Sequence, residues 1–207
     1  MRMAVRKPGR PPVTTLVNVA LLTQLRADTR SRHQRLESLP AMQRIFRQNY
    51  TRTEYIRLLQ IFLSIYRPLE DLLTQPGRTM TVNLGYRIRS AELESDLCVL
   101  KADIPVAESP APLPLFNSDA AEVGCLYVLE GSRHGGRVMA GHLAKTLDLT
   151  VDTGLRFLTG ADSDQGKSWN QFCRRAEAFC SSQPLINEAV SGAAATFDCF
   201  YEYLARE

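Results

Sequence analysis

The chain holds three histidines, His33, His134 and His142, and one of them has a partner at a useful spacing. His33 and Glu37 are four residues apart, so on a helix their side chains meet on one face. An imidazole that donates one ring N–H to a carboxylate keeps its other nitrogen as a lone-pair donor. This is the second-shell arrangement that fixes the tautomer of a metal-ligating histidine. The same pair also reads as an ordinary half-buried histidine, hydrogen-bonded one turn along its own helix. Arg26 shares that face and lies two turns earlier, about 10 Å along the axis.

Gly131-Ser132-Arg133-His134-Gly135-Gly136 is the second informative feature. It sits inside one amphipathic pattern running over 118–147. Each interior glycine costs a helix about 1 kcal/mol relative to alanine, so three in six positions call for a reason. Gly131 and Gly135 are spaced i, i+4, as are Ser132 and Gly136, which makes a groove of small residues. The groove either receives another helix or leaves main chain bare for a flat ligand. An imidazole with a guanidinium near the iron-to-propionate reach on one helix, and bare backbone on another, outlines two walls suited to haem.

His134 lies within the glycine stretch but off its small face. The readings for it are a surface residue, a donor to a water in the pocket, or a second metal ligand. His142 reads as solvent-facing or structural. Carboxylates at a pocket mouth need basic or hydroxyl partners, and Arg26, Tyr127 and Arg174 are the candidates. The five cysteines, Cys98, Cys125, Cys173, Cys180 and Cys199, show no CxxC spacing. Four fall in helical patterns, which fits buried reduced thiols and a cytoplasmic setting. No nucleophile elbow, P-loop, HExxH or dinucleotide fingerprint is present.

The elements that must carry these residues are all helical. The apolar period predicts helices over 16–39, 41–48 and 51–73, the last opened by the capping box Thr51-Arg52-Thr53-Glu54. Pro68 should kink or break that third helix. Ser90 is expected to cap a helix burying Leu93, Leu97 and Leu100, and the four prolines of 102–116 read as a loop. Ser118 should start the glycine-bearing helix, and 162–166 reads as a polar turn. Two further helices follow over 167–181 and 184–206, the first with Trp169, Phe172, Ala176 and Phe179 inward. The fold class is all-α, a compact single-domain helical bundle. Residues 1–15, basic and proline-rich, read as a flexible tail, with 16–207 as the domain. No apolar run reaches the ~20 residues of a membrane helix. A net charge of +3 gives no argument for nucleic acid.

With these residues in place, the chain resembles the haem oxygenase family. Leu25-Arg26-Ala27-Asp28-Thr29 through His33 and Leu36-Glu37 is similar to that family's proximal helix. Thr51-Arg52-Thr53-Glu54-Tyr55 through Tyr66, Leu69 and Glu70 resembles its second helix. Leu126-Tyr127-Val128-Leu129-Glu130-Gly131-Ser132 with Gly135-Gly136 resembles the bacterial distal helix, especially in the branch associated with bacterial phytochromes. The likeness runs from about Leu21 to Leu204.

The resemblance implies haem as both substrate and cofactor, cleaved to biliverdin, carbon monoxide and ferrous iron with dioxygen and reducing equivalents. It implies His33 as the iron ligand and Glu37 as its partner. Gly131, Ser132, Gly135 and Gly136 then form the catalytic distal wall, and Arg26, Tyr127 and Arg174 contact the propionates. A neutral imidazole ligand, unlike a thiolate, does not promote O–O cleavage. The expected partners are an electron donor, either a ferredoxin or an NAD(P)H-dependent flavoprotein, and a bacteriophytochrome as biliverdin acceptor. Arg26, Arg30 and Arg32 form a basic surface for the donor. Two departures stand out. Ser132 replaces the carboxylate of animal members, and Arg133-His134 replaces smaller or apolar residues. A non-catalytic haem carrier or sensor is the alternative on the same fold. A thiaminase-like enzyme using Cys125 near Glu122 and Glu130 is a third.

Overall fold

Thr51 accepts a hydrogen bond from the Glu54 N–H at 3.2 Å while the Glu54 carboxylate accepts from the Thr51 N–H at 2.7 Å. This reciprocal cap opens the helix that organises one side of the molecule. The structure, a computed structural model, describes residues 21–105, 113–160 and 165–206. Their secondary structure is helical, with no strand among them. The helices are α1 (Leu21–Glu37), α2 (Pro40–Arg44), α3 (Arg52–Leu73), α4 (Met80–Leu84), α5 (Ser90–Val99), α6 (Asp119–Thr146), α7 (Arg156–Thr159), α8 (Gln165–Phe179) and α9 (Gln183–Leu204). A 3-10 turn at Val151–Thr153 precedes α7.

Long periodic segments formed as the sequence predicts. Tyr55, Leu58, Leu59, Phe62, Ile65, Tyr66, Leu69 and Leu73 are all buried on α3. Pro68 lies inside that helix without breaking it. Ser118 caps α6 by accepting from the Ala121 N–H at 3.2 Å. The glycine-bearing helix then runs unbroken through Gly131, Gly135 and Gly136. Cys125, Cys173, Cys180 and Cys199 are buried free thiols, and Cys98 is exposed.

Two expectations need correction, and two short helices had no counterpart in the sequence pattern. Ser90 does not cap α5 with its side chain: Arg89 holds the cap position and the acceptor comes from α3. The Glu70 carboxylate accepts from the Arg89 and Ser90 N–H groups, at 2.7 and 2.9 Å. The short helices α4 and α7 were not legible, because four or five residues carry too little periodicity. α2 ends at Arg44, well before Gln48. The tail at 1–15, the first helix's expected start at 16–20, and parts of the loop at 102–116 and the turn at 162–166 lie outside the described residues.

Helix α6 packs closely on α9, and α1 lies against α9 as well. The close approach is made at Gly124 and Gly192. A Cβ on Gly124 would strike the Ala189 carbonyl, and one on Gly192 the Ala121 carbonyl. Helix-to-helix contact through small residues is therefore the work of this pair rather than of Gly131 and Gly135. Helices α1 and α6 are joined through α9, and a cleft remains between them.

Candidate functional site

That cleft has a volume of about 810 Å³. One wall is α1, which contributes Arg26, Arg30, His33 and Glu37. The other is α6, which contributes Gly131, Ser132, Gly135 and Gly136. Apolar side chains of α3, α7 and α9, among them Phe62, Phe157, Phe197 and Phe200, complete it. The two sequence features therefore share one cavity of the size and mainly apolar lining expected of a cofactor site.

His33 Nδ1 lies 3.4 Å from Glu37 Oε2. The His33 ring meets Phe197 of α9 edge-on, with centroids 5.7 Å apart. The imidazole is 57 % exposed, more open than the half-buried histidine of the plainer reading, and its contact with Glu37 is common to both readings. With Nδ1 beside a carboxylate, Nε2 is the nitrogen left for a ligand.

The three glycines of the 131–136 stretch of α6 do different things. A Cβ on Gly135 would meet nothing within 4 Å. One on Gly131 would only reach the Trp169 ring at 3.7 Å. At Gly136 it would lie 3.0 Å from the Leu158 carbonyl oxygen. Gly136 thus lets α7 pack on α6, whereas Gly135 leaves main chain bare beside the cleft. That bare stretch would accept a flat macrocycle, and the donor set opposite it, one imidazole backed by one carboxylate, suits a haem iron.

Behind the glycines stands a polar cluster that joins Ser132 to two residues, Tyr66 and Arg89, to which the sequence assigned no role. Ser132 Oγ lies 2.6 Å from Tyr66 Oη, donates to the Leu129 carbonyl at 2.7 Å, and accepts from Arg89 Nη1 at 3.2 Å. Arg89 is buried, its guanidinium 4.2 Å above the Phe157 ring, and its Nη2 donates to the Phe157 carbonyl at 2.5 Å. Two buried carboxylates set this geometry. Glu70 holds the Arg89 backbone. Asp96 accepts from the Arg156 and Phe157 N–H groups at 3.0 and 2.8 Å, which fixes the start of α7. Burial pushes Asp96 up to about 6 despite those bonds. Burial likewise raises the Tyr66 phenol, and the Arg89 charge opposes it. Nothing in the sequence marks Arg89, since its burial depends on elements 20 to 70 residues away in the chain. Tyr66 was visible in the apolar stripe and in the second-helix resemblance, but its hydroxyl had no role there.

Arg26 lines the cleft and bonds the half-buried Tyr127 hydroxyl. Arg30 lines it too. Arg174 does not: it is exposed and outside the lining, because the buried face of α8 runs through Phe172, Cys173 and Ala176. Arg32 pairs with Asp198 of α9 at 3.1 Å. His134 is exposed, with Nδ1 3.3 Å from the Gly131 carbonyl and its ring edge-on to Trp169 at 5.2 Å. Its neighbour Arg133 turns into the protein and pairs with Glu130 at 3.3 Å. His142 is half-buried beside Thr146 and away from the cleft. Cys125 is fully buried and its thiol is pushed up to about 12, so it offers no thiolate nucleophile. Glu122, near it in sequence, is held by Arg78.

The Heme oxygenase family model matches residues 19–206. A heme oxygenase of Xanthomonas campestris is 36% identical over 122 residues, which are 59% of this chain and 70% of that protein. Among solved structures, the NO- and CO-bound heme oxygenase of Neisseria meningitidis superposes with a TM-score of 0.73 at 22% identity. It covers 91% of this chain and 92% of its own. Heme oxygenase-1 of the cyanobacterium Synechocystis, solved in complex with heme, has a TM-score of 0.70 at 15% identity, over 91% and 92% of the two chains. With a match over nearly its whole length and the same helical architecture, the chain belongs to the haem oxygenase family.

Proposed function

We propose that this protein binds haem in the cleft between α1 and α6 and cleaves it to biliverdin, carbon monoxide and ferrous iron, with dioxygen and reducing equivalents. The observation that carries this reading is that one cavity has an open imidazole, His33, on one wall and the bare main chain of Gly135 on the other. Bound haem would supply both the iron that activates dioxygen and the carbon framework that is cut.

The chain's own residues do the rest. His33 Nε2 would ligate the iron, with Glu37 holding the ring through Nδ1. Gly131 and Gly135 would leave the main chain bare where the macrocycle would lie. Arg26, Arg30 and the Tyr127 hydroxyl would hold carboxylates at the mouth. Ser132, with Tyr66 and Arg89, gives the α6 wall a place to order water. Catalysis requires no side-chain nucleophile, in keeping with buried, unreactive thiols.

The electron donor would be a ferredoxin or an NAD(P)H-dependent flavoprotein, docking on the basic face around Arg26 and Arg30. The Tyr127–Ser132 run supports the phytochrome-associated branch, with a bacteriophytochrome taking the biliverdin. Buried free thiols support a reducing, cytoplasmic compartment. No described helix is long and apolar enough to cross a membrane. The test is incubation with haemin, oxygen and ascorbate or reduced ferredoxin. Biliverdin and carbon monoxide are expected, and bleaching of the Soret band without biliverdin would contradict the reading.

A further inference from the structure

The hydroxyls beside Gly131 can be assigned directions by counting protons. Ser132 has one O–H and two acceptor lone pairs. The Leu129 carbonyl, 2.7 Å away, can only accept, so it takes the Ser132 proton. Arg89 Nη1, 3.2 Å away, can only donate, so it occupies one lone pair. Tyr66 Oη, 2.6 Å away, must then donate into the other. Ser132 is saturated and has no proton left for the cleft. The Tyr66 proton is engaged as well. Its oxygen keeps at least one lone pair, since Arg89 reaches it only at 3.5 Å.

The Leu129 carbonyl fixes this order, and Arg89 completes it by filling the lone pair that Ser132 would otherwise have left over. Its side chain is 2 % exposed, and one guanidinium holds Ser132 on one side and the Phe157 carbonyl on the other. Its Nε has no hydrogen-bond partner, with a Glu92 carboxylate oxygen 3.5 Å away. Burying a cation is costly even when it is paired, and this one stands beside the cleft. We infer that Arg89 is a positioning residue: it fills the last lone pair of Ser132 and holds the Tyr66–Ser132 pair, so that the pair offers the cleft a lone pair on Tyr66 of α3 and no hydroxyl proton, and it gives that end of the cleft a fixed positive charge. A water bound there must donate to Tyr66, which sets its orientation. The assignment rests on the haem-binding reading above.

The two effects of the cluster separate in variants, with carbon monoxide bound to the ferrous haem complex as probe. Its stretching frequency rises when positive charge is withdrawn and falls when a hydrogen-bond donor is turned toward it. Arg89→Met is expected to raise the frequency, and Arg89→Lys, which keeps the charge, to move it less. Ser132→Ala frees the Tyr66 proton to swing into the cleft and is expected to lower it. A purely structural role would loosen the wall alike in both variants and shift the band in one direction or not at all, which would overturn the assignment. If Arg89→Met does not fold, Ser132→Ala decides alone: a fall supports the assignment, and a rise or no change refutes it. If the wild type binds no haem, the reading itself fails, and that outcome is recognisable before any variant is made.

Discussion

His33 Nδ1 stands 3.4 Å from Glu37 Oε2, one turn apart on α1, and the imidazole that this carboxylate orients opens onto the same cavity as Gly135 of α6. The pair is solvent-accessible, so its value as an ion pair is slight. Its value is directional. Replacing Glu37 with alanine should leave the fold intact and weaken haem affinity or turnover about 10- to 100-fold, the range for loss of a second-shell carboxylate. Haem titration of the variant, followed at the Soret band, checks it; wild-type affinity and rate would mean that the carboxylate does not orient the ring.

Gly135 and Gly136 should respond in opposite ways to alanine. At Gly135 the methyl meets nothing within 4 Å, so helix propensity alone acts and stability rises by about 1 kcal/mol. Haem binding should nonetheless fall, because the methyl takes space beside the cleft. At Gly136 the methyl would lie 3.0 Å from the Leu158 carbonyl, and strain should outweigh propensity for a net loss of about 1–2 kcal/mol. Thermal denaturation of the two apoproteins, with haem titration of the first, tests the division of roles.

Asp96 links the start of α7 to pH. Burial raises its folded-state value from 3.8 to about 6, so between those limits the folded protein binds the proton that the unfolded chain has released. The Asp96 contribution is therefore most favourable at low pH, declines as pH rises from about 4 to 6, and is level above that. Relative to Asp96→Asn, wild-type stability should fall by up to roughly 1.4 kcal/mol per pH unit across this window. Urea midpoints for both proteins at pH 4.5 and pH 7 check the sign, and a wild-type advantage that grows with pH would reverse it.

The basic face of α1 should govern electron delivery. Arg30 is exposed and lines the cleft, where a donor would approach; Arg32 lies on the same helix but is paired with Asp198, so Arg30 should carry most of the effect. Neutralising both should slow ferredoxin-supported turnover several-fold more than ascorbate-supported turnover, and should flatten the salt dependence of the former. Equal slowing with both reductants would place the effect in haem binding instead.

The pattern of what was legible follows from the range of the interactions. The Thr51–Glu54 box, the α3 stripe and the His33–Glu37 pair are local, set by residues within one or two turns. They could be read directly from the chain. The glycine stretch was visible as an anomaly, but the separate task of Gly136 was not. It depends on Leu158 of α7, a helix of four residues with no periodic signature. Arg89 was hidden for the same reason: a lone arginine before a helix looks solvent-exposed until α3, α6 and α7 close around it. Arg174 failed in the opposite direction. Its helix was legible, but which side of that helix faces the cleft is fixed only by docking against α1, α4 and α6.

His33 is expected to hold the iron of a haem lying against α6. The most direct measurement is the absorption spectrum of the ferrous haem complex under carbon monoxide, for the wild type and for His33→Ala with and without added imidazole. The sharp Soret band of a histidine-ligated carbonyl complex is expected in the wild type, is expected to be lost in the variant, and should return when imidazole is supplied. An unchanged spectrum in His33→Ala would contradict that ligation.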